Sequence, residues 1–287
     1  MRDPRFIDVD GIRTRYFEAG SGRPLVLIHG GQFGHYYNAG HWSLNFGDLS
    51  SAFRVYAPDR LGQGHTDNPK SAGDYTMAQA IKHMHGFLRA ARIDKAVLVG
   101  HSRGALVAAR IACDYPELVA ALVIVSTNTL AADHPSTPRG FYEKLEENAP
   151  AEPDAGLVRR EPLANSYSAD HITPDFVEEM LAVARLPKTR AARKAMEELL
   201  TRQFLPDVRK LKHETLDMIR DGRLRAPTLV LWGLNDPSAP VAIGYQLFQH
   251  ISSAVAKARL HVFNHAGHYV FREHYRELDR VIVDFAG

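Results

Sequence analysis

Segments of strand character alternate with segments of helical spacing along most of this chain, and that alternation narrows the fold more than any other feature. Pro24–Gly30 (PLVLIHG) is a continuous apolar run, the mark of a strand covered on both faces as in parallel sheets. Arg54–Ala57 reads as a strand. Tyr75–Ala91 has helical spacing, with Ala80, Ile81, Met84, Phe87, Leu88 and Ala91 on one side. Ala96–Val99 reads as a strand, Arg103–Tyr115 as an alanine-rich helix and Leu122–Ser126 as a further strand. Such alternation implies right-handed crossovers, hence an α/β fold on a mostly parallel, doubly wound sheet. Ahead of it, Phe6–Val9 and Ile12–Phe17 flank Asp10-Gly11, a hairpin pair because glycine accepts positive φ without steric cost.

The rhythm stops near Thr127 and returns near Pro227. The interval holds Pro135, Pro138, Pro150, Pro153 and Pro162, amphipathic helices at Phe176–Ala184 and Ala191–Phe204, and no buried strand. Beyond it, Thr228–Trp232 and Arg259–Phe263 read as strands, and Val241–Ile251 and Arg272–Phe285 as helices. The strands on either side need one another to complete a sheet, so residues 1–127 and 227–287 form one core. Residues 128–226 are then a helical insertion, a lid, because a stretch so long is no simple loop.

Composition removes several classes of function. A chain of 287 residues, 45% hydrophobic and 24% charged, suits one large globular α/β domain and excludes disorder or coiled coil. Thirty-five Lys+Arg against 33 Asp+Glu is too even to announce a nucleic-acid or acidic-membrane partner. The one cysteine, Cys113, supports neither an intrachain disulfide nor a thiolate metal site. The opening MRDPRFIDVDG is charged and lacks the apolar stretch of a secretory signal, and no apolar run reaches the ~18 residues that span a bilayer. The expectation is a cytoplasmic protein acting on a small molecule, with no cofactor and no metal.

The sharpest motif is Gly100-His101-Ser102-Arg103-Gly104, directly after one strand and opening a helix. In that context G-x-S-x-G makes a tight turn that thrusts the serine hydroxyl out, at the positive end of the helix. A serine hydroxyl needs a base to take its proton, and in this architecture the chain order is Ser, acid, His. Asp236 follows the strand Thr228–Trp232, and His268 follows Arg259–Phe263; both loops leave strand C-termini, where open α/β sheets set their sites. His265 is the rival base, ranked second because Gly267 gives His268 backbone freedom. His29-Gly30-Gly31 ends the first buried strand, where the Gly31 N–H can join the Arg103 N–H as an oxyanion hole, with His29 bracing the loop. His35, His41, His83, His85 and Cys113 read as packing or surface residues.

With these elements in order, the chain resembles the α/β-hydrolase fold family over nearly its full length. Within it the closest resemblance is to the meta-cleavage product hydrolases, which split a carbon–carbon bond in 2-hydroxy-6-oxo-dienoates formed by aromatic ring cleavage. The segments that carry it are His29–Gly31 (HGG), Gly100–Gly104, Trp232–Pro240 (WGLNDPSAP) and Leu260–His274 (LHVFNHAGHYVFREH). The resemblance implies a serine-dependent C–C hydrolase with Arg185, in Ala184-Arg185-Leu186-Pro187, holding the substrate carboxylate or enolate. It also implies a homodimer, though no interface is legible. Those hydrolases typically carry Asn before the nucleophile and Trp after the base; here His101 and Tyr269 stand there and, with Gly30, are expected to bound the substrate. A Gly-His-Ser-x-Gly elbow is common in esterases, so a carboxylesterase for small or carboxylate-bearing monoesters is the second expectation. A ligand-binding receptor on this fold is the third, disfavoured by the complete Ser, Asp and His set. Haloalkane dehalogenases and epoxide hydrolases of the family need Asp where Ser102 stands.

Overall fold

The computed structural model describes every residue except Arg2 and Ala151. Its centre is a sheet of eight strands: β1 (Arg5–Val9), β2 (Ile12–Ala19), β3 (Pro24–Ile28), β4 (Arg54–Pro58), β5 (Ala96–His101), β6 (Val119–Val125), β7 (Thr228–Gly233) and β8 (Ala258–Phe263). Their spatial order is β1-β2-β4-β3-β5-β6-β7-β8. The β1–β2 and β2–β4 pairs are antiparallel and the rest parallel. Asp10 (φ +52°) and Gly11 (φ +78°) supply the two left-handed residues that the β1–β2 turn requires. The chain runs outward from β3 to β4 and then crosses back to β5. The strand order reverses there, opening a crevice beyond the C-termini of β3 and β5.

Every residue of β5 and β7 is buried, which accounts for their unbroken apolar character. One face is covered by α1 (Ser43–Ser50) and α11 (Tyr275–Ala286), the other by α2 (Met77–Ala90), α3 (Arg103–Asp114), α8 (Leu205–Arg220) and α9 (Val241–Ser252). The alanines of α3 (Ala105, Ala108, Ala109 and Ala112, all buried) let that helix lie close against the strands. The expected closing helix is split at His274 (φ −121°) into α10 (Val270–Glu273) and α11.

Between β6 and β7 the chain is helical: α4 (Phe141–Glu146), α5 (Ala155–Asn165), α6 (Pro174–Arg185), α7 (Pro187–Leu199), a widened π turn over Leu200–Phe204, and α8. Local chemistry sets two of these starts. The Asp154 carboxylate caps α5 through the Leu157 N–H at 2.7 Å, and Thr173 caps α6 ahead of Pro174. One helix of the expected insertion, residues 128–226, lies on the core. Through Leu211, Leu216 and Ile219, α8 packs on α2, α3 and α9, so it belongs to the core layer. No helix of the described residues is long and apolar enough to cross a membrane.

Candidate active site

Ser102 sits where β5 turns into α3, at φ +53° and ψ −124°, a conformation that is strained for any residue with a Cβ. Its N–H donates to the carbonyls of Val125 and Ser126, both at 3.1 Å, which holds the strained turn in place. The flanking glycines serve close approach. A Cβ at Gly100 would overlap the Gly104 carbonyl, and one at Gly104 would overlap the Ile28 and His29 carbonyls.

Asp236 and His268 meet in the same crevice. His268 Nδ1 lies 2.7 Å from Asp236 Oδ2. Asp236 Oδ1 accepts from the Ser238 N–H (2.9 Å), the Ser238 hydroxyl (3.2 Å) and the Ala239 N–H (2.7 Å), so the carboxylate is satisfied and fixed. With Nδ1 donating to Asp236, the ring's acceptor is Nε2, which is buried and has no hydrogen-bond partner among the described residues. The acid and base loops pack tightly, since a Cβ on Gly233 would overlap the Gly267 carbonyl. His101 lies beside the base, ring centroids 4.7 Å apart, and its Nε2 donates to the His268 carbonyl at 3.1 Å. His265, the rival base, is exposed and stacks on Tyr167.

Burial disfavours a charged His268, but the Asp236 charge and hydrogen bond, helped by Glu161 and Glu273, outweigh it and leave the pKa above the ordinary histidine value. The surrounding imidazoles go the other way. Burial, with positive charge from Arg60, pushes His29 down to about 3, and burial holds His41 and His101 well below their usual range. His29 is braced: its Nδ1 lies 2.9 Å from the Gly30 carbonyl and its Nε2 accepts from the Arg60 N–H at 3.1 Å. Gly31 has φ +79°, and a Cβ on Gly30 would stand 2.9 Å from Ser102 Cβ, so this loop lies directly against the serine. Arg103 opens α3, where a helix leaves its first N–H groups without intrahelical acceptors.

The lid contributes residues that the sequence did not reveal. Buried Glu161 accepts from the Tyr269 hydroxyl at 2.5 Å and from the Asn165 amide. Tyr269 also shares a hydrogen bond of 3.1 Å with Tyr37, and Asn165 donates to the Tyr142 hydroxyl at 3.4 Å. The Asn165 carbonyl accepts from the His268 N–H at 2.7 Å, so lid and base loop touch. Glu273 clasps the same junction, accepting from the N–H groups of Tyr167 (2.7 Å), Ser168 (2.9 Å) and Gly267 (2.7 Å). Burial and the nearby Glu161 raise the pKa of Tyr37 and Tyr269 well above the usual phenol value, so both stay protonated. Arg185, by contrast, is not brought into this group. It ends α6 exposed to water, its Nε donating to the Pro153 carbonyl at 3.2 Å.

Residues 23–275 match the model of a family described as the alpha/beta hydrolase fold. The chain belongs to that family. It is 31% identical to the 2-hydroxymuconate semialdehyde hydrolase of Pseudomonas sp. (strain CF600), over 98% of this chain and 93% of the relative. It is 29% identical to the 2-hydroxy-6-oxo-6-(2'-aminophenyl)hexa-2,4-dienoic acid hydrolase of Metapseudomonas resinovorans, over 98% and 90% of the two chains. Among solved structures, the meta-cleavage product hydrolase of Pseudomonas fluorescens IP01 superposes with a TM-score of 0.79. The superposition covers 98% of this chain and 96% of that one at 24% identity, a likeness of fold. This α/β hydrolase thus keeps company with meta-cleavage product hydrolases along essentially its whole length.

Proposed function

We propose that this hydrolase cleaves a carbon–carbon bond in 2-hydroxy-6-oxo-dienoate products of aromatic ring cleavage, with Ser102 as nucleophile, His268 as base and Asp236 as the acid that orients the base. The observation that carries the site assignment is the Asp236–His268 pair. One carboxylate oxygen is filled by three donors, and the other, 2.7 Å from Nδ1, leaves Nε2 as the proton acceptor. The substrate class follows from the full-length likeness to relatives named for such dienoates.

In the reaction the dienol first ketonises, taking a proton at C5, so that the departing carbon has an electron sink. His268 then removes a proton from the Ser102 hydroxyl, or from a water beside it, as oxygen attacks the C6 ketone. The N–H groups of Gly31 and Arg103 hold the resulting oxyanion, a contribution of about 10²–10³ in rate per donor. Collapse breaks the C5–C6 bond, and the electron pair leaves as the dienolate of a 2-hydroxypenta-2,4-dienoate. Water completes release of the C6 fragment as a carboxylic acid. Gly30, His101 and Tyr269 bound the substrate, and residues 128–204 cover it. The test is to mix enzyme with the yellow 2-hydroxy-6-oxo-6-phenylhexa-2,4-dienoate and follow its colour. Bleaching with release of benzoate is expected; no bleaching across a panel of such dienoates removes this reading.

Ester hydrolysis by the same triad is the second reading. It is favoured by His101 ahead of the serine and by the polar wall that lid residue Glu161 forms with Tyr269 and Tyr37 of the core. Turnover of short p-nitrophenyl esters far above that of every dienoate would select it.

A further inference from the structure

The side chain of Arg103 has a position that its backbone role does not explain. It leaves α3 one residue beyond Ser102, and its guanidinium carbon lies 5.6 Å from the ring centroid of Phe204, where the lid returns to the core. Tyr142, Tyr37 and Glu143 are near enough for their charges to act on it. Its Nε is buried with no hydrogen-bond partner, and among the described residues no carboxylate forms an ion pair with it.

Arg103 keeps part of its surface open to water, whereas the three fully buried arginines are spent on protein acceptors. Arg15 meets Asp59 with two bonds, of 2.5 and 3.0 Å. Arg60 donates to the carbonyls of Gly30 and Gly31, both at 3.2 Å. Arg272 donates to the carbonyls of His41 (2.8 Å) and His171 (3.1 Å) and to the Ser43 hydroxyl (3.1 Å). A half-buried cation at the elbow, with one donor buried and unfilled and no carboxylate paired to it, is placed to meet a ligand's negative charge.

We propose that the Arg103 side chain is the anion anchor of this site, receiving a substrate carboxylate through its planar fork of N–H donors while Phe204 supports its face. The inference rests on reading Ser102 as the reacting centre, and it moves anion recognition from the lid residue Arg185 to the elbow itself. The ligands it selects are small acids whose carboxylate stands a few bonds from the reacting carbonyl.

The test uses binding, which does not depend on turnover. Monomethyl glutarate and dimethyl glutarate differ by one negative charge, and calorimetry compares them on wild type and Arg103→Met, both carrying Ser102→Ala so that neither ester is turned over. Wild type is expected to bind the monoacid at least tenfold more tightly than the diester, and Arg103→Met to abolish that preference. Arg103→Lys should keep part of it, because a point charge replaces the fork. Removing an unpaired cation should leave the melting temperature of Arg103→Met unchanged or raised. A preference that survives in Arg103→Met, or is absent from wild type, overturns the proposal, as does a lowered melting temperature with both ligands weakened equally. If Arg103→Met does not fold, Arg103→Gln serves in the same comparison with the same two outcomes. Fluorophosphonate labelling of the protein with Ser102 intact separates the two claims. Its failure counts against the hydrolytic reading and leaves the binding result standing.

Discussion

Ser102, Asp236 and His268 each stand just past the end of a parallel strand, whereas Glu161, Asn165 and Tyr142 reach the same crevice from helices of the insertion. On the sheet side, backbone geometry fixes position: a strained serine pinned by two carbonyls, an aspartate filled largely by backbone donors, and glycines where two chains must touch. On the lid side, side chains hold side chains, and the lid meets the base loop through the Asn165 carbonyl, the Glu273 clasp, the Tyr269–Glu161 bond and the Tyr167–His265 stack. The contrast teaches a division of labour. On the proposed reading, chemistry falls to the side fixed by backbone, and substrate selection to the side held by side chains.

That division can be broken by unequal effects of substitution. Ser102→Ala should lower kcat by about 10⁶ with the thermal melt unchanged; a loss under tenfold would put the chemistry elsewhere. Asp236→Asn should cost about 10⁴ in kcat, because an amide no longer fixes the His268 tautomer. The pH profile sharpens the same point. His268 must be neutral to act as base, and its pKa is raised by Asp236, so wild-type kcat/KM should fall as pH drops through a value above the ordinary histidine pKa. In Asp236→Asn the residual activity should keep its level to lower pH.

On the lid side, Glu161→Gln keeps the shape and removes the charge. It should change kcat/KM less than about tenfold, mostly through KM, and a kcat loss near that of Asp236→Asn would erase the contrast. The smallest kinetic effect should come from Asp279, remote from both sides, whose carboxyl is pushed up to about 8 by burial although Asn45 donates to it at 2.8 Å. Folded protein therefore binds more protons than unfolded protein between the ordinary aspartate pKa and about 8, and stability declines as pH rises through that window. Asp279→Asn should leave kcat intact and raise the melting temperature at pH 8–9 more than at pH 5.

The sequence made the sheet side legible because its signals are local. The runs at β3, β5 and β7 announce buried strands, and the loop residues after them announce their own chemistry. The lid side was hidden because its order is tertiary. Glu161 precedes Pro162 in α5, a helix with little amphipathic pattern, and nothing in its neighbours says that its carboxylate meets Tyr269, 108 residues away. The packing of α8 on other helices is tertiary too, and helical spacing alone does not specify it. The resemblance carried an arginine to position 185 but not the direction of its side chain at the end of α6. The elbow motif gives the Arg103 N–H a role but does not say where its guanidinium lies.

The most direct test of the central claim is a fluorophosphonate reaction followed by intact and peptide mass spectrometry at pH 8, on wild type, Ser102→Ala and His268→Ala. The account predicts a single adduct on Ser102, none in Ser102→Ala, and labelling slowed by orders of magnitude in His268→Ala. An adduct on another residue, or undiminished labelling without His268, would contradict it.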